Sequence, residues 1–204
     1  HRIMIELPDT APGNYVNVVK LELDGLPDVN PLPCQQPDGN VQLPACLAEL
    51  HLGESEAVAE NNESGDTAVA AEKFNLAAAK NMEVDRSGVV KNWFNTNNFI
   101  SWEFTIDTTG EYQLELRTFA KKYTPWVGGH NVRVECNGQT AKATLTADIE
   151  PDTASRQYFN ETGSIIGTLT IPDAGRQRLE LKADTINPAD PVGLAVSAMI
   201  LHPV

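Results

Sequence analysis

The stretch ISWEFTIDTTGEYQLEL, residues 100–116, decides the fold class of the chain. On either side of its Thr-Thr-Gly turn, apolar residues alternate with polar ones. Trp102 and Phe104 share one face of the first half, and Tyr112 and Leu114 share one face of the second. A period of two residues is that of a β-strand with one buried face. The stretch therefore predicts two consecutive antiparallel strands joined by a tight turn.

The same alternation continues to the C-terminus. Asn137-Gly138 separates two alternating runs, and this dipeptide is the strongest short-range signal for a β-hairpin. The apolar run at 192–201 predicts a buried final strand. Short strands separated by Gly, Pro and Asn predict an all-β sandwich, and the long irregular connections favour a jelly roll.

Three segments are expected along the chain. Residues 1–28 hold two more alternating runs, which we expect to form a hairpin outside the core of the main module. Residues 29–44 are Pro-rich and predict a linker. Residues 45–204 then form the sandwich module, in which the Ala-rich part at 67–80 fits a helix and a strand equally well.

Composition excludes several classes of partner. The 204 residues carry 15 Lys and Arg against 28 Asp and Glu, a net charge of −13. Such a surface repels phosphate backbones, so nucleic acid is not expected as a partner. No run approaches the roughly 20 apolar residues of a membrane-spanning helix, so no membrane span is expected.

The three cysteines leave two alternatives open. Cys34 and Cys46 are close enough in sequence to form a disulfide in an oxidising compartment, and the alternative is three free thiols. Cys136 lies in an alternating strand and is expected in the core. No Cys/His spacing indicates zinc.

Several phrases resemble the C-terminal region of α-L-fucosidases. YVNVVKLELDG (15–25) is similar to the closing strands of their β domain, and DGNVQLPACLAELHLGE (38–54) is similar to the entry of an additional module. Trp93, the strand phrase at 102–104 and the turn phrase at 110–112 match further hallmarks of that module. The resemblance implies a galactose-binding-like sandwich of a secreted or periplasmic glycoside hydrolase. It also implies that residues 1–28 are the closing strands of a preceding β domain. The resemblance further implies that the module binds a glycan or oligosaccharide and contacts the catalytic domain of the parent chain.

The chain departs from that pattern in two places. A long acidic, Ala-rich insertion precedes Trp93, and residues 123–130 replace a loop that is small and polar in the family. Both departures fall beside candidate binding residues.

Two clusters are candidates for sugar recognition, which needs an aromatic face beside fixed hydrogen-bonding groups. The first is Trp93 with Asn95 and Asn97. Its alternative is that Trp93 is a plug at one end of the core. The second is Tyr123, Trp126 and His130 in a Pro/Gly loop. Its alternative is that Trp126 packs on another domain of the parent.

No catalytic residue is predicted. The chain has no nucleophile elbow, zinc-protease motif or phosphate-binding loop, so we expect no enzymatic activity from it. No cofactor is expected; calcium is common in sandwiches of this type, but no spacing commits a residue to it. The rival interpretations are a purely structural domain on the catalytic barrel, and an independent enzyme with two close carboxylates.

Overall fold

A computed structural model describes residues 32–53, 81–121, 124–149 and 159–204. These residues belong to one compact unit, Leu32–Val204. They form eleven strands and a short 3₁₀ helix, Ala45–Leu47. The strands are β1 (Val41–Pro44), β2 (Glu49–His51), β3 (Glu83–Val84), β4 (Val90–Trp93), β5 (Phe99–Ile106), β6 (Gly110–Lys121), β7 (Asn131–Cys136), β8 (Gln139–Thr144), β9 (Phe159–Ile171), β10 (Gly175–Thr185) and β11 (Leu194–Pro203).

The strands form two antiparallel sheets. One sheet has the order β3-β4-β11-β6-β9, and β1 also pairs with β11. The other has the order β2-β5-β10-β7-β8. Strand β11 has β6 along one side, while its other side is shared by β4 near Leu194 and by β1 near Leu201. This arrangement confirms the predicted all-β sandwich of jelly-roll type.

The core lies between the sheets and is built by the alternation seen in the sequence. Trp102 and Phe104 on β5, and Tyr112 and Leu114 on β6, all have side chains at most 1% exposed. The indole N–H of Trp102 donates to the carbonyl oxygen of Pro44 at 2.8 Å. The partner of this polar group lies on the facing sheet, so it is buried without loss of a hydrogen bond.

The predicted hairpin at Asn137-Gly138 is confirmed. Cys136 pairs with Gln139, and the two turn residues have φ of 50° and 74°. A two-residue turn with both φ positive matches the twist of the flanking strands. The final strand, predicted over 192–201, is β11.

The structure differs from the linker expected over 29–44. Val41 and Leu43 are fully buried and pair with β11, and the backbone of Cys34 forms a parallel bridge with Thr105. Pro33 and Pro37 therefore lie beside short paired stretches, and Pro44 is the last residue of β1, so the described part of this segment runs along the sandwich. Proline tolerates such positions where its missing N–H is not needed by the ladder.

Gln35 connects the beginning of this segment to both sheets. Its Nε2 donates to the Gly39 carbonyl oxygen at 2.8 Å and to the Tyr112 hydroxyl at 2.9 Å. Its Oε1 accepts the backbone N–H groups of Asp107 and Thr108 at 3.0 and 2.9 Å. The side chain is 4% exposed, so one buried amide satisfies four groups around the turn after β5.

The cysteines adopt the free-thiol alternative. Cys34 and Cys46 are exposed and unbridged, and Cys136 is in the core as predicted. Burial raises the pKa of the Cys136 thiol to about 11, which keeps it protonated and unreactive at neutral pH.

Strands β8 and β9, which lie at the edges of the two sheets, are joined by a side chain. The Gln139 Nε2 donates to the Thr170 carbonyl oxygen at 2.6 Å, and its Oε1 accepts the Thr170 N–H at 3.1 Å. Further along the same edge of β9, Ile149 forms an antiparallel bridge with Gly163, and Asp148 accepts the N–H of Ile165 at 2.9 Å.

Some expectations fall outside the described residues. These are the hairpin at 1–28 with its boundary, the Ala-rich segment at 67–80, and Tyr123. None of the helices in the described ranges has the length and apolar character needed to cross a bilayer.

Candidate functional site

A cavity of about 540 Å³ opens where the C-terminal end of β6 meets β4, the start of β11 and two loops. The loops are at 124–130 and 186–193. Both are rich in Pro, which fixes the backbone φ, and in Gly, which permits the positive φ seen at Gly129 and Gly193. The cavity is lined by Lys91, Asn92, Thr118, Phe119, Ala120, Lys121, Thr124, Pro125, Trp126, Val127, His130, Asp190, Pro191, Val192, Leu194 and Ala195.

Trp126 forms one wall of the cavity and is half-buried. Its indole N–H donates to the Thr118 hydroxyl at 2.9 Å. A Cβ added at Gly128 would lie 2.6 Å from Cη2 of the Trp126 ring and 2.8 Å from the Leu145 carbonyl oxygen. Only glycine therefore lets the loop fold its own tryptophan this closely against the backbone, and the ring is held in one orientation.

His130 lies at the base of the cavity and ties the two loops together. Its Nδ1 accepts the backbone N–H of Asn187 at 3.1 Å, so Nε2 carries the proton and donates to Asp190 Oδ2 at 3.3 Å. Asp190 Oδ1 accepts the N–H of Val192 at 3.0 Å. His130 is 2% exposed and Asp190 7%, and the Asn187 side chain donates to the Gly128 carbonyl oxygen at 2.7 Å.

On the β4 side, a cation lies beside an aromatic ring. The Lys91 ammonium is 5.3 Å from the centroid of the Phe119 ring and forms an ion pair with Asp85. Partial burial alone would raise the pKa of Asp85. Hydrogen bonds from Lys91, Ser87 and the Val89 amide outweigh it and lower that pKa to about 2. Asp85 is therefore held as an ionised partner of Lys91.

The first predicted cluster is arranged differently from the expectation. Trp93 is fully buried, and its indole N–H donates to the Asn95 carbonyl oxygen at 3.2 Å. A ring with no exposed face cannot stack on a sugar, so the structure supports the alternative of a core plug. The polar run that follows Trp93 made a loop position plausible. In the structure Trp93 is the last residue of β4, and its side chain points into the core.

Asn95 and Asn97 do not line the cavity. Asn95 Oδ1 accepts the N–H of Asn97 at 2.9 Å, and the neighbouring Asn98 side chain accepts the N–H of Gly53 at 2.9 Å. A Cβ at Gly53 would lie 2.5 Å from that of Asn97. These amides stabilise the loop between β4 and β5 and hold it against the segment after β2.

The second predicted cluster is brought together in part. Trp126 and His130 share the cavity, and Tyr123 lies outside the described residues. Lys91, Phe119 and Asp190 were missed by the sequence reasoning. The sequence did contain a signal for Phe119. By alternation it shares the outward face of β6 with Gln113 and Arg117, and a large aromatic side chain is unexpected on such a face.

The outward face of the five-stranded sheet offers no basic patch. Arg176 forms an ion pair with Glu103, Arg178 with Glu180, and Lys182 with both Glu180 and Glu135. Arg176 and Arg178 are thus paired with carboxylates. Within the described ranges, no group of three or more His, Cys, Asp or Glu side chains is placed to hold a metal ion.

Comparison with known proteins supports the fold. Neither a protein-family model nor a curated protein matches the sequence. Among solved structures, the α-L-fucosidase from Vibrio sp. strain EJY3 aligns with 88% of this chain at a TM-score of 0.56 and 20% identity. The sandwich expected from the resemblance is confirmed. The match covers 25% of the fucosidase, so this chain spans about a quarter of that enzyme's length.

Two further solved structures are similar at lower scores. The Podospora anserina GH26-CBM35 β-(1,4)-mannanase has a TM-score of 0.44 and 17% identity, and the match covers 82% of this chain and 28% of that one. A family 35 carbohydrate-binding module from Clostridium thermocellum has a TM-score of 0.43 and 13% identity, over 81% of this chain and 98% of the module.

Proposed function

We propose that the chain is a non-catalytic carbohydrate-binding module. The observation that carries the proposal is the Trp126 ring, which is fixed in the wall of a cavity of about 540 Å³. Sugar rings present flat C–H faces that pack on aromatic rings, and ligand pockets of a few hundred cubic ångströms suit such molecules. A ring that is already oriented loses little conformational entropy on binding.

The proposed parent is an extracytoplasmic glycoside hydrolase, most specifically an α-L-fucosidase. The phrases at 15–25 and 38–54 support this parent, because both resemble the C-terminal region of such enzymes. The shared sandwich in the Vibrio enzyme is compatible with it. In that setting the second partner of the module is the catalytic domain of its own chain.

The cavity is poorly suited to hydrolysis. Retaining glycosidases hold two carboxyl groups roughly 5 Å apart, whereas Asp190 is the sole carboxylate among the described residues that line the cavity. Its two oxygens accept from His130 and Val192. We therefore expect no turnover of an aryl α-L-fucoside by the purified chain; activity that co-purifies with it through repeated chromatography would contradict this.

Binding is tested on a glycan array, followed by titration calorimetry with each hit. Replacing Trp126 by Ala should weaken binding by roughly 1–3 kcal/mol, the range of other ring-stacking contacts, without unfolding the chain. Phe99→Ala is the matched control, since it removes an aromatic ring that stacks on His51 with centroids 4.1 Å apart and lies outside the cavity. Equal affinities for all three proteins would remove Trp126 from the site.

A structural role remains the second candidate, and one observation favours it. Val192 is 51% exposed beside Trp126, and an apolar rim of this kind also suits a domain interface. That role predicts no hit on the array and a Trp126→Ala variant that loses affinity for the catalytic domain supplied as a separate chain.

A further inference from the structure

A buried carboxylate lies on the outward side of strand β6. By alternation Glu115 shares this side with Gln113 and Arg117, yet it is only 1% exposed. Its Oε1 accepts the Nε–H of Arg117 at 2.9 Å, and its Oε2 lies 2.7 Å from Nε2 of His202 on β11. A Cβ at Gly163 would lie 2.5 Å from Oε1, so a glycine on β9 leaves room for the carboxylate. A buried carboxylate needs such partners.

The other nitrogen of the His202 ring faces the turn that precedes β1. Its Nδ1 lies 3.1 Å from Oδ1 of Asn40. The Asn40 amide is held in this orientation, because its Nδ2 donates to Asp38 Oδ2 at 2.8 Å. An amide oxygen and a carboxylate oxygen are both acceptors, and a neutral imidazole can donate from only one nitrogen. Both contacts of His202 are therefore satisfied together only when both ring nitrogens carry a proton.

We propose that His202 is a proton-dependent link between β6 and the turn at 36–40. From β6 the ring faces Glu115, with Arg117 behind it. From the turn it faces Asn40, with Asp38 behind it. A protonated ring and Arg117 together balance the charges of the two carboxylates in this row. The link lies outside the cavity and does not depend on the proposed carbohydrate binding.

Loss of a proton breaks the contact to the turn first. A neutral ring keeps its remaining proton on Nε2, because the Glu115 carboxylate is a stronger acceptor than the Asn40 amide. Nδ1 then presents a lone pair to Oδ1 of Asn40, and rotating that amide to offer its NH₂ group would break the bond to Asp38. The Asn40 carbonyl oxygen still accepts the Gln36 N–H at 2.7 Å. The turn itself therefore stays closed, and its attachment to β11 loosens.

The direction of the pH effect follows from which form of the ring makes both bonds. The protonated form stabilises the attachment of β1, which begins directly after the turn and pairs with β11. Histidine changes charge between about pH 5 and 8. The attachment is therefore tightest at the acid end of this window and weakens as the pH rises through it.

Hydrogen exchange of the full chain at pH 5.5 and pH 8, corrected for the intrinsic exchange rate at each pH, tests the link. Protection of the β1 amides relative to those of β7, which lies in the other sheet, should be about 10-fold higher at pH 5.5, the effect of one bond to a charged group. Nitrogen NMR of the His202 ring should show protons on both nitrogens at pH 5.5 and on Nε2 alone at pH 8. A protection ratio that does not change with pH, or an unprotonated Nδ1 at pH 5.5, would overturn the proposal.

Three variants separate this link from other titrating groups. His202→Gln keeps a donor but cannot titrate, and Asn40→Ala removes the acceptor opposite Nδ1, so both should make the protection ratio independent of pH. His51→Gln is the matched control, because His51 lies on β2 in the other sheet, 3.5 Å from Glu49, and it should keep the wild-type change with pH. A wild-type change in either of the first two variants, or its loss in His51→Gln, would overturn the link. Asn40 is half-buried, so its variant serves as the test even if His202→Gln does not fold.

Discussion

The indole N–H of Trp126 donates to the hydroxyl of Thr118 at 2.9 Å. Thr118 is 3% exposed and lies on β6, whereas Trp126 lies on the loop that follows. A strand of the sandwich therefore fixes the orientation of a cavity ring that the sequence indicates as a candidate for sugar recognition. Because the anchor is part of a sheet, the ring is positioned before any ligand arrives.

Thr118→Val removes this anchor and keeps the shape of the side chain. We expect sugar affinity to fall by about 1 kcal/mol, because a partly buried N–H loses its acceptor and the ring gains freedom. Titration and the near-ultraviolet circular dichroism of tryptophan measure the two effects. The control is Thr168→Val, an exposed threonine on β9. Wild-type affinity and an unchanged tryptophan signal in Thr118→Val would show that the bond does not orient the ring.

Gln35→Ala should strongly destabilise the fold. Four groups lose the bond to Gln35 at once, among them the N–H groups of Asp107 and Thr108, while the Tyr112 hydroxyl keeps its bond to the Thr108 carbonyl oxygen. Buried groups left unpaired cost about 1–3 kcal/mol each, less where water can enter, so we expect a loss of roughly 2–4 kcal/mol in the free energy of unfolding. Urea titration measures it. Gln36→Ala, at an exposed neighbour, should change this free energy by less than about 0.5 kcal/mol.

Asp85→Asn should make the chain less sensitive to acid. The folded-state pKa of Asp85 is lowered to about 2, so the ionised carboxylate stabilises the fold above the ordinary pKa near 4. That contribution is lost as the pH falls toward 2. The gap in unfolding free energy between wild type and Asp85→Asn should be largest above about pH 4, and it should shrink as the pH falls toward 2.

Denaturant titrations at several pH values follow that gap. Asp173→Asn, at an exposed carboxylate, is the control and should show little change of its gap with pH. A gap for Asp85→Asn that stays constant from pH 6 to pH 2 would contradict the role of the Lys91 contact.

Removal of residues 1–28 should leave a folded sandwich. The compact unit begins at Leu32, and the bonds of Gln35 and the strand β1 lie after the proposed cut. We expect a small change in melting temperature, measured by differential scanning calorimetry. Light scattering of both forms checks whether the removed segment also promotes self-association. If the truncated chain does not fold, the prediction is wrong and the first 28 residues include part of the sandwich.

The sequence predicted the sheets far better than the cavity. Alternation between neighbours is a local property, and it placed Trp102 in the core and the turn at Asn137 correctly. The cavity combines β4, β6, β11 and two loops, so its members share no local pattern. Lys91 and Asp190 are almost 100 positions apart and line the same space.

Two other errors have local causes. Trp93 was placed beside amides in a loop, because four residues of strand are too few to show which way the last side chain points. Strand β1 was overlooked for a similar reason: Val41 and Leu43 alternate only once between prolines.

The side-chain amide of Gln139 forms the hydrogen bonds that a neighbouring strand would form with β9. Its nitrogen and oxygen bond to the C=O and N–H of Thr170, as the backbone of an additional neighbour would. An exposed edge strand is a template onto which other copies can add and grow into aggregates. By occupying that place, the Gln139 side chain blocks one part of the edge of β9, and Ile149 and Asp148 cover another part. Resistance to edge-to-edge association therefore depends in part on a residue that does not line the cavity.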